Sequence, residues 1–277
     1  MKPIWIIENF SNDPSYQEMS DEIVKQGFTL KEIKDGYKKI DLIEFRKEKC
    51  CVIFLGSITM TELVQKQLQT CFPVSYCNKP NYLCSKYMSH FGKYLFNDKY
   101  TMISLAELQR KKFFFYGTFG VDALIFVRPD SGQKPFQAQL LDMIDIDKFV
   151  ERNNDIKHDM VVVSSPKTII WEGRFVVTKY KEIIGTSTYR YQGQVTKIPS
   201  VPKQATELVK ELLNVGYYPD SVFCIDICED SDEKHWLLEI NSFSSAGMYA
   251  CKKDNIVRRV SEIAEDEWKI KNKIHSR

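Results

Sequence analysis

The residues best suited to chemistry are Asp226, Glu239 and Asn241, in the stretch Phe223-Cys-Ile-Asp226-Ile-Cys-Glu-Asp-Ser-Asp-Glu-Lys-His-Trp-Leu-Leu-Glu239-Ile-Asn241. Carboxylate and amide oxygens are the ligands that hold Mg²⁺, which keeps some of its water and takes further ligands from substrate phosphates. Val222 to Cys228 and Trp236 to Ile240 are apolar runs around a polar Glu229 to Lys234, the pattern of an antiparallel hairpin. Side chains alternate along a strand, so Glu239 and Asn241 share a face, and Asp226 meets them if it lies opposite. Taken alone, Leu-Glu-Ile-Asn also suits an ordinary half-buried strand, so its neighbours decide its meaning.

Three other segments bear on that choice. Phe126-Val-Arg128-Pro-Asp-Ser-Gly-Gln-Lys134 ends a strand in a cation and turns through Pro, Asp, Ser and Gly before presenting a second one. Backbone amides and both charges could close on a polyphosphate there, although a solvated turn with surface cations fits too. Trp171-Glu-Gly-Arg174 reads as a tight Glu-Gly turn opening a strand, and Gly185-Thr-Ser-Thr-Tyr-Arg190 as the end of the next. On one side of a sheet, Arg174 and Arg190 could grip phosphate or carboxylate bidentately; as edge charges they would only discourage aggregation. Ser242 to Tyr249 is a Ser- and Gly-bearing loop placed to wall an acceptor site or to serve as a connector. The chain contains no Gly-x-x-x-x-Gly-Lys-Ser/Thr loop, no Gly-x-Gly-x-x-Gly and no kinase motif set. Lys34-Asp-Gly36 reads as a turn.

Elements that would position these residues are legible as well. Ile4 to Ile7 and Cys51 to Leu55 read as strands, Ser15 to Gln26 and Thr59 to Gln69 as helices, giving an α/β N-terminal region with parallel strands. Ser104-Leu-Ala-Glu107 is a capping box opening a helix that runs into the Lys-Lys-Phe-Phe-Phe sequence. Strand signals at hairpin spacing then take over: Ala123 to Arg128, Met160 to Val163, Thr168 to Trp171, Arg174 to Thr178 and Ile183 to Tyr189. Helices are expected at Ile146 to Asn153, Gln204 to Asn214 and from about Asn255. The domain division is expected at 1–117 and 118–277, the second part α+β with antiparallel sheets.

Composition limits the partners. The 277 residues are 43% apolar, enough for a substantial core, and 39 basic against 37 acidic side chains leave a net charge of +2. Such a balance gives no field for nonspecific nucleic-acid or membrane binding. The apolar run at Ile4 is too short for a signal peptide or membrane span, so the expected location is cytoplasmic. The eight cysteines are expected to be reduced and mostly buried; Cys71, Cys77 and Cys84 are too widely spaced for a zinc knuckle.

In order, Phe-Val-Arg-Pro-Asp, Glu-Gly-Arg, Thr-Tyr-Arg, Cys-Ile-Asp-Ile and Leu-Glu-Ile-Asn-Ser-Phe resemble the ATP-grasp superfamily. The similarity covers about Ala123 to Val257 and is strongest to the branch, common in bacteria and phages, whose nucleotide site is marked by two arginines and a lysine. The resemblance implies ATP held between two α+β lobes with Mg²⁺ on its phosphates. Asp226, Glu239 and Asn241 match the metal ligands, and Arg128 stands where many relatives place a phosphate-binding lysine. Lys134, Arg174 and Arg190 match the remaining cations, the two arginines with catalytic roles. Val161-Val-Val-Ser-Ser165 is similar to the interlobe hinge that reads adenine through its backbone, so Val162, Val163 and Ser164 are expected at the nucleotide together with Glu172. The implied reaction is carboxylate-amine ligation through an acyl phosphate, on a small molecule, peptide or protein, with a homodimer left open. A kinase-like phosphotransferase and a non-catalytic nucleotide-binding module are the alternatives.

Overall fold

A computed structural model of the chain describes residues 1–9, 13–34, 42, 45 and 49–274; the expected turn at Lys34-Asp-Gly36 extends outside them. The N-terminal sheet is parallel, in the order β2-β1-β3-β4, from β1 (Ile4–Asn9), β2 (Thr29–Lys34), β3 (Cys51–Leu55) and β4 (Phe72–Val74). Every residue of β3 is buried, as expected of an apolar strand covered on both faces. Two helices accompany it, α1 (Pro14–Lys25), capped by Asp13, and α2 (Ile58–Gln67), capped by Ser57. The C-terminal helix (Lys253–Ile274) also returns to this sheet: Ile256, Val257 and Val260 share a core with Trp5, Ile7 and Ile53. Trp5 Nε1 donates to Ser261 Oγ at 3.0 Å inside that core.

A helix, α3 (Cys84–Phe91), leads to the second sheet, β5-β8-β6-β7, which is antiparallel. Its elements in chain order are β5 (Tyr100–Ser104), α4 (Leu105–Arg110), α5 (Lys112–Phe119), β6 (Leu124–Pro129), β7 (Gln139–Asp142), α6 (Asp145–Arg152) and β8 (Met160–Ser164). Ser104 caps α4 by accepting from Glu107 N at 3.2 Å. The reciprocal half of the expected box is missing, because the Glu107 carboxylate pairs with Arg110 instead. The expected boundary at 117/118 falls inside α5, and β5 on one side of it pairs with β8 on the other.

The third sheet runs β11-β10-β9-β12-β13, antiparallel throughout, from β9 (Trp171–Thr178), β10 (Ile183–Tyr191), β11 (Gln194–Ile198), β12 (Val222–Glu229) and β13 (His235–Ser242). Helix α7 (Lys203–Asn214) buries Ala205, Val209, Leu212 and Leu213 against Phe175, Ile225 and Leu237 on one face. The final helix, α8, completes the fold. The strand expected from Arg174 to Thr178 starts earlier, at Trp171, and the one expected from Thr168 does not form, since Thr168 to Ile170 lies outside β9; Glu172-Gly173 lies inside β9 and is not a turn. Gly173 is there because the Trp171 ring lies over it; a Cβ would sit 2.3 Å from the indole.

Candidate active site

The face of the third sheet opposite α7 carries a row of charges set by strand register. Glu172 and Arg174, two apart on β9, share a face. Arg190 of β10 lies opposite Glu172, Asp226 of β12 opposite Arg174, and Glu239 of β13 opposite Asp226. Asn241 is two residues beyond Glu239 and donates through Nδ2 to both carboxylates, at 2.9 Å to Glu239 Oε1 and 3.0 Å to Asp226 Oδ2. The three oxygen-bearing residues expected to converge therefore do so.

At the centre of the row Arg174 forks onto Asp226, Nε to Oδ1 at 2.8 Å and Nη2 to Oδ2 at 2.7 Å, while Nη1 donates to the Gly247 carbonyl at 2.9 Å. Arg174 is 6% exposed and Asp226 0%. Burial raises the Asp226 carboxyl above its ordinary value, with the Arg174 charge opposing. This guanidinium thus makes its bidentate grip on a carboxylate of its own sheet, where the expectation was phosphate or carboxylate of a substrate.

Glu239 has a different setting. It accepts from Arg128 Nη2 at 3.1 Å and from Lys134 Nζ at 3.0 and 3.2 Å, both from the second sheet and the loop after β6. Burial alone would raise this carboxyl, but Lys134, Arg128 and the Asn241 amide outweigh it and hold it well below the ordinary range. Arg128 Nη1 also reaches the Leu238 carbonyl at 3.4 Å, and its Nε is buried without a hydrogen-bond partner. The loop that ends β6 thus bridges the two sheets, with both cations that were expected to close on a polyphosphate turned onto Glu239.

Glu172 accepts from Tyr189 OH at 2.8 Å and faces Arg190 Nε at 3.4 Å. A bulge between Thr188 and Arg190 lets both Tyr189 and Arg190 oppose it. Burial raises the Glu172 carboxyl, with Tyr189 and Arg190 opposing. The Tyr189 ring stacks on Tyr249 at 4.8 Å between centroids, and the Arg174 guanidinium lies 5.0 Å from the Tyr249 ring. Tyr249 has φ of 44°, a costly conformation for a residue with a side chain. Sequence reasoning placed Tyr249 in the loop wall but missed the stack, which needs a contact across 60 residues of chain.

A cavity of about 600 Å³ lies between the second and third sheets. Arg128, Lys134, Glu172, Arg190 and Glu239 line it on the charged side, and Phe126, Phe136, Leu140, Ile169 and Leu238 give it an apolar one. Val162, Val163 and Ser164 do not reach it. They sit in β8, whose backbone is engaged on both sides by β5 and β6, and Val162 and Val163 are wholly buried. An interior strand has no free backbone to offer a base. The connection from β8 to β9 supplies Lys167 and Ile169 to the cavity instead. A smaller cavity of about 220 Å³ adjoins it, with Lys134 and Tyr249 common to both, and reaches Arg174, Asn241, Ser242 and Ser245.

Two stacked α+β lobes closing on a charged cavity, with carboxylates on the last hairpin, define an ATP-grasp fold. The ATP-grasp domain, R2K clade family 2, matches residues 117–258, and the chain belongs to that family. Solved structures agree on the fold. D-cycloserine synthetase DcsG superposes with a TM-score of 0.64 at 11% identity, over 95% of this chain and 99% of that one. D-alanine–D-alanine ligase from Bacillus anthracis complexed with ATP gives 0.62 at 14%, over 98% and 100%. ATP-grasp ligase PsnB complexed with minimal precursor gives 0.59 at 12%, over 92% and 97%. No curated protein sequence matches the chain. Among the described residues no helix is long and apolar enough to cross a membrane.

Proposed function

We propose that the protein is an ATP-dependent ligase that joins a carboxylate to an amine through an acyl phosphate, using Mg²⁺ and releasing ADP. The observation that carries this reading is the pair of adjoining cavities meeting at Lys134 beside Glu239. One is large, with an apolar side for a base and cations for phosphates; the other is small and polar, fit for a second substrate. D-alanine–D-alanine ligase, DcsG and PsnB, whose fold this chain shares, are named as a ligase, a synthetase and a ligase.

The donor set suits a hard divalent cation: two carboxylates and an amide, with the Asn241 Nδ2 hydrogen now shared between both carboxylates. Asp226, Glu239 and Asn241 would hold Mg²⁺. Bound there, it would neutralise phosphate charge and polarise the γ-phosphoryl group.

In the first step a substrate carboxylate oxygen attacks the γ-phosphorus and the bond to the leaving ADP oxygen breaks. Arg128, Lys134 and Arg190 on the cavity wall orient the phosphates and absorb charge that spreads over the transferring group. In the second step an amine attacks the acyl carbon, phosphate leaves and the nitrogen gives up a proton. Among the residues lining the two cavities no Cys-His or Ser-His pair stands ready to act as nucleophile. Arg174, through its fork onto Asp226, acts by fixing the carboxylate row.

The test is product analysis with Mg-ATP, hydroxylamine and pools of carboxylic acids. ADP, phosphate and a hydroxamate in equal amounts are expected. AMP with pyrophosphate would replace this mechanism by adenylation, and a stable phosphate ester would make the protein a kinase.

A further inference from the structure

A third cavity, of about 490 Å³, continues from the second to the open surface, with Cys77 and Lys79 lining both. The three spaces lie in sequence: the nucleotide cavity meets the small one at Lys134 and Tyr249, and the small one meets the surface trough at Cys77 and Lys79. One wall of the trough is a face of α2, where Glu62, Gln65 and Lys66 recur at helical spacing with Gln69 a turn further on. The other wall is the segment from Ser75 to Pro80, with Asp220 beside it.

The two spaces differ in charge. Lys79, Lys134 and Arg174 line the small cavity, and among the described residues no carboxylate does. The trough mixes Lys66 and Lys79 with Glu62 and Asp220, and Glu62 is ion-paired to Lys79. Its remaining polar walls come largely from Gln65, Gln69 and Asn78; Gln65 Nε2 donates to Ser75 Oγ at 2.7 Å and to the Cys77 carbonyl at 3.2 Å, which leaves Gln69 and Asn78 to present the donors and acceptor that match a peptide backbone. An electrically balanced trough gives a polyanion no purchase. Each cation of the small cavity has a carboxylate partner outside it, Glu62, Glu239 and Asp226; the two lysines, with three N–H donors apiece, can share them with one substrate carboxylate, in a space of about 220 Å³ that takes a terminal residue.

We infer that the carboxylate substrate is the C-terminus of a peptide, with its last residue in the small cavity and the preceding chain laid along α2 in the trough. This rests on the ligase reading above. The substrate thus enters from the trough end of the series of cavities, and its carboxylate oxygen meets the γ-phosphorus at Lys134. That oxygen forms the new bond to phosphorus as the bond to ADP breaks, and the acyl phosphate then loses phosphate to an amine, which sheds a proton.

The experiment supplies Mg-ATP and hydroxylamine with one of three probes: random pentapeptides with free C-termini, the same pentapeptides amidated at the C-terminus, or the free proteinogenic amino acids. Hydroxamate and ADP are measured, and Mg-ATP binding is followed by calorimetry. Free-ended peptides should support turnover, and the other two probes should not. Gln69→Trp, or the milder Lys66→Glu if that variant folds poorly, should cut peptide-dependent turnover about tenfold and leave Mg-ATP affinity unchanged, since both positions are exposed and outside the nucleotide cavity. Equal turnover with free amino acids, turnover with neither pool, or trough variants that behave as wild type would overturn the assignment while normal Mg-ATP binding left the ligase reading standing. Absence of Mg-ATP binding would remove the ligase reading and this inference with it.

Discussion

Arg174 and Arg190 stand on neighbouring strands of one sheet, each beside a carboxylate, yet only one pair is sealed. The Arg174 and Asp226 side chains are 7% and 1% exposed and joined by two parallel hydrogen bonds. Arg190 is 49% exposed and meets Glu172 at 3.4 Å through a single nitrogen. Burial turns the same ion pair from a contact water can replace into one that must stay complete, because a charge left alone in the interior has nothing to compensate it. Arg174 therefore belongs to the frame of the site, and Arg190 is free to answer a ligand in the large cavity.

The largest effect follows from breaking the sealed pair. Asp226→Ala leaves the Arg174 guanidinium buried and unpaired, and Arg174→Ala does the same to Asp226; each should cost about 3–5 kcal/mol in urea denaturation. Arg174→Met combined with Asp226→Leu should recover much of that loss without restoring activity. If the single variants unfold like wild type, the fork is not structural and both residues return to the substrate side.

Glu239 comes next, because its cations arrive from the other lobe. Glu239→Gln should lower ATP turnover about 10²- to 10³-fold, the scale of a lost electrostatic contact in an active site. Folding stability should fall less than in Asp226→Ala, since Lys134 is 41% exposed and solvent can take over its share. A calorimetric titration with Mg-ATP, beside a melting curve, separates the two.

This division was only partly legible in the sequence. Alternation along β13 and the hairpin spacing were enough to bring Asp226, Glu239 and Asn241 together, because strand geometry is local. Val162 to Ser164 were misplaced because an apolar strand of five residues looks the same at a hinge as inside a sheet; only its neighbours β5 and β6 decide. Glu172-Gly173 looked like a turn because glycine usually marks one, whereas here it accommodates an indole ring. β2, β4, β5, β7 and β11 escaped notice, being short, mixed or exposed in pattern, and the Tyr189–Tyr249 stack depends on a contact no local window contains.

A third carboxylate extends the comparison to a half-buried acid whose hydrogen-bond partners are both uncharged. Asp220 accepts from Asn78 N and Tyr82 OH, both at 2.8 Å, and burial pushes it up to about 6. Its folded-state value is raised, so it holds its proton in the fold at pH values where the unfolded chain has lost it. That stabilisation is complete below the ordinary carboxylate range and disappears as pH rises through about 6. Asp220→Asn should therefore gain on wild type by roughly 2–3 kcal/mol between pH 4 and 7.5, read from urea midpoints at each pH. A difference that stays flat across this range would mean that water reaches the carboxylate.

The smallest effect is expected at the open pair, and it tests the comparison most directly. Arg190→Gln removes a half-exposed charge whose partner Glu172 keeps its hydrogen bond from Tyr189 OH at 2.8 Å, so no group is stranded. Exposed pairs contribute about 0–1 kcal/mol, and salt screens them. The variant should unfold within about 1 kcal/mol of wild type, and the gap should close in about 1 M NaCl, where the screening length is only about 3 Å. Its phosphate affinity should nevertheless drop, with ATP weakened more than adenosine, because Arg190 lines the large cavity on its charged side. A stability loss comparable to that of Arg174→Ala would show that exposure does not separate the two arginines, and equal losses for ATP and adenosine would remove Arg190 from the phosphates.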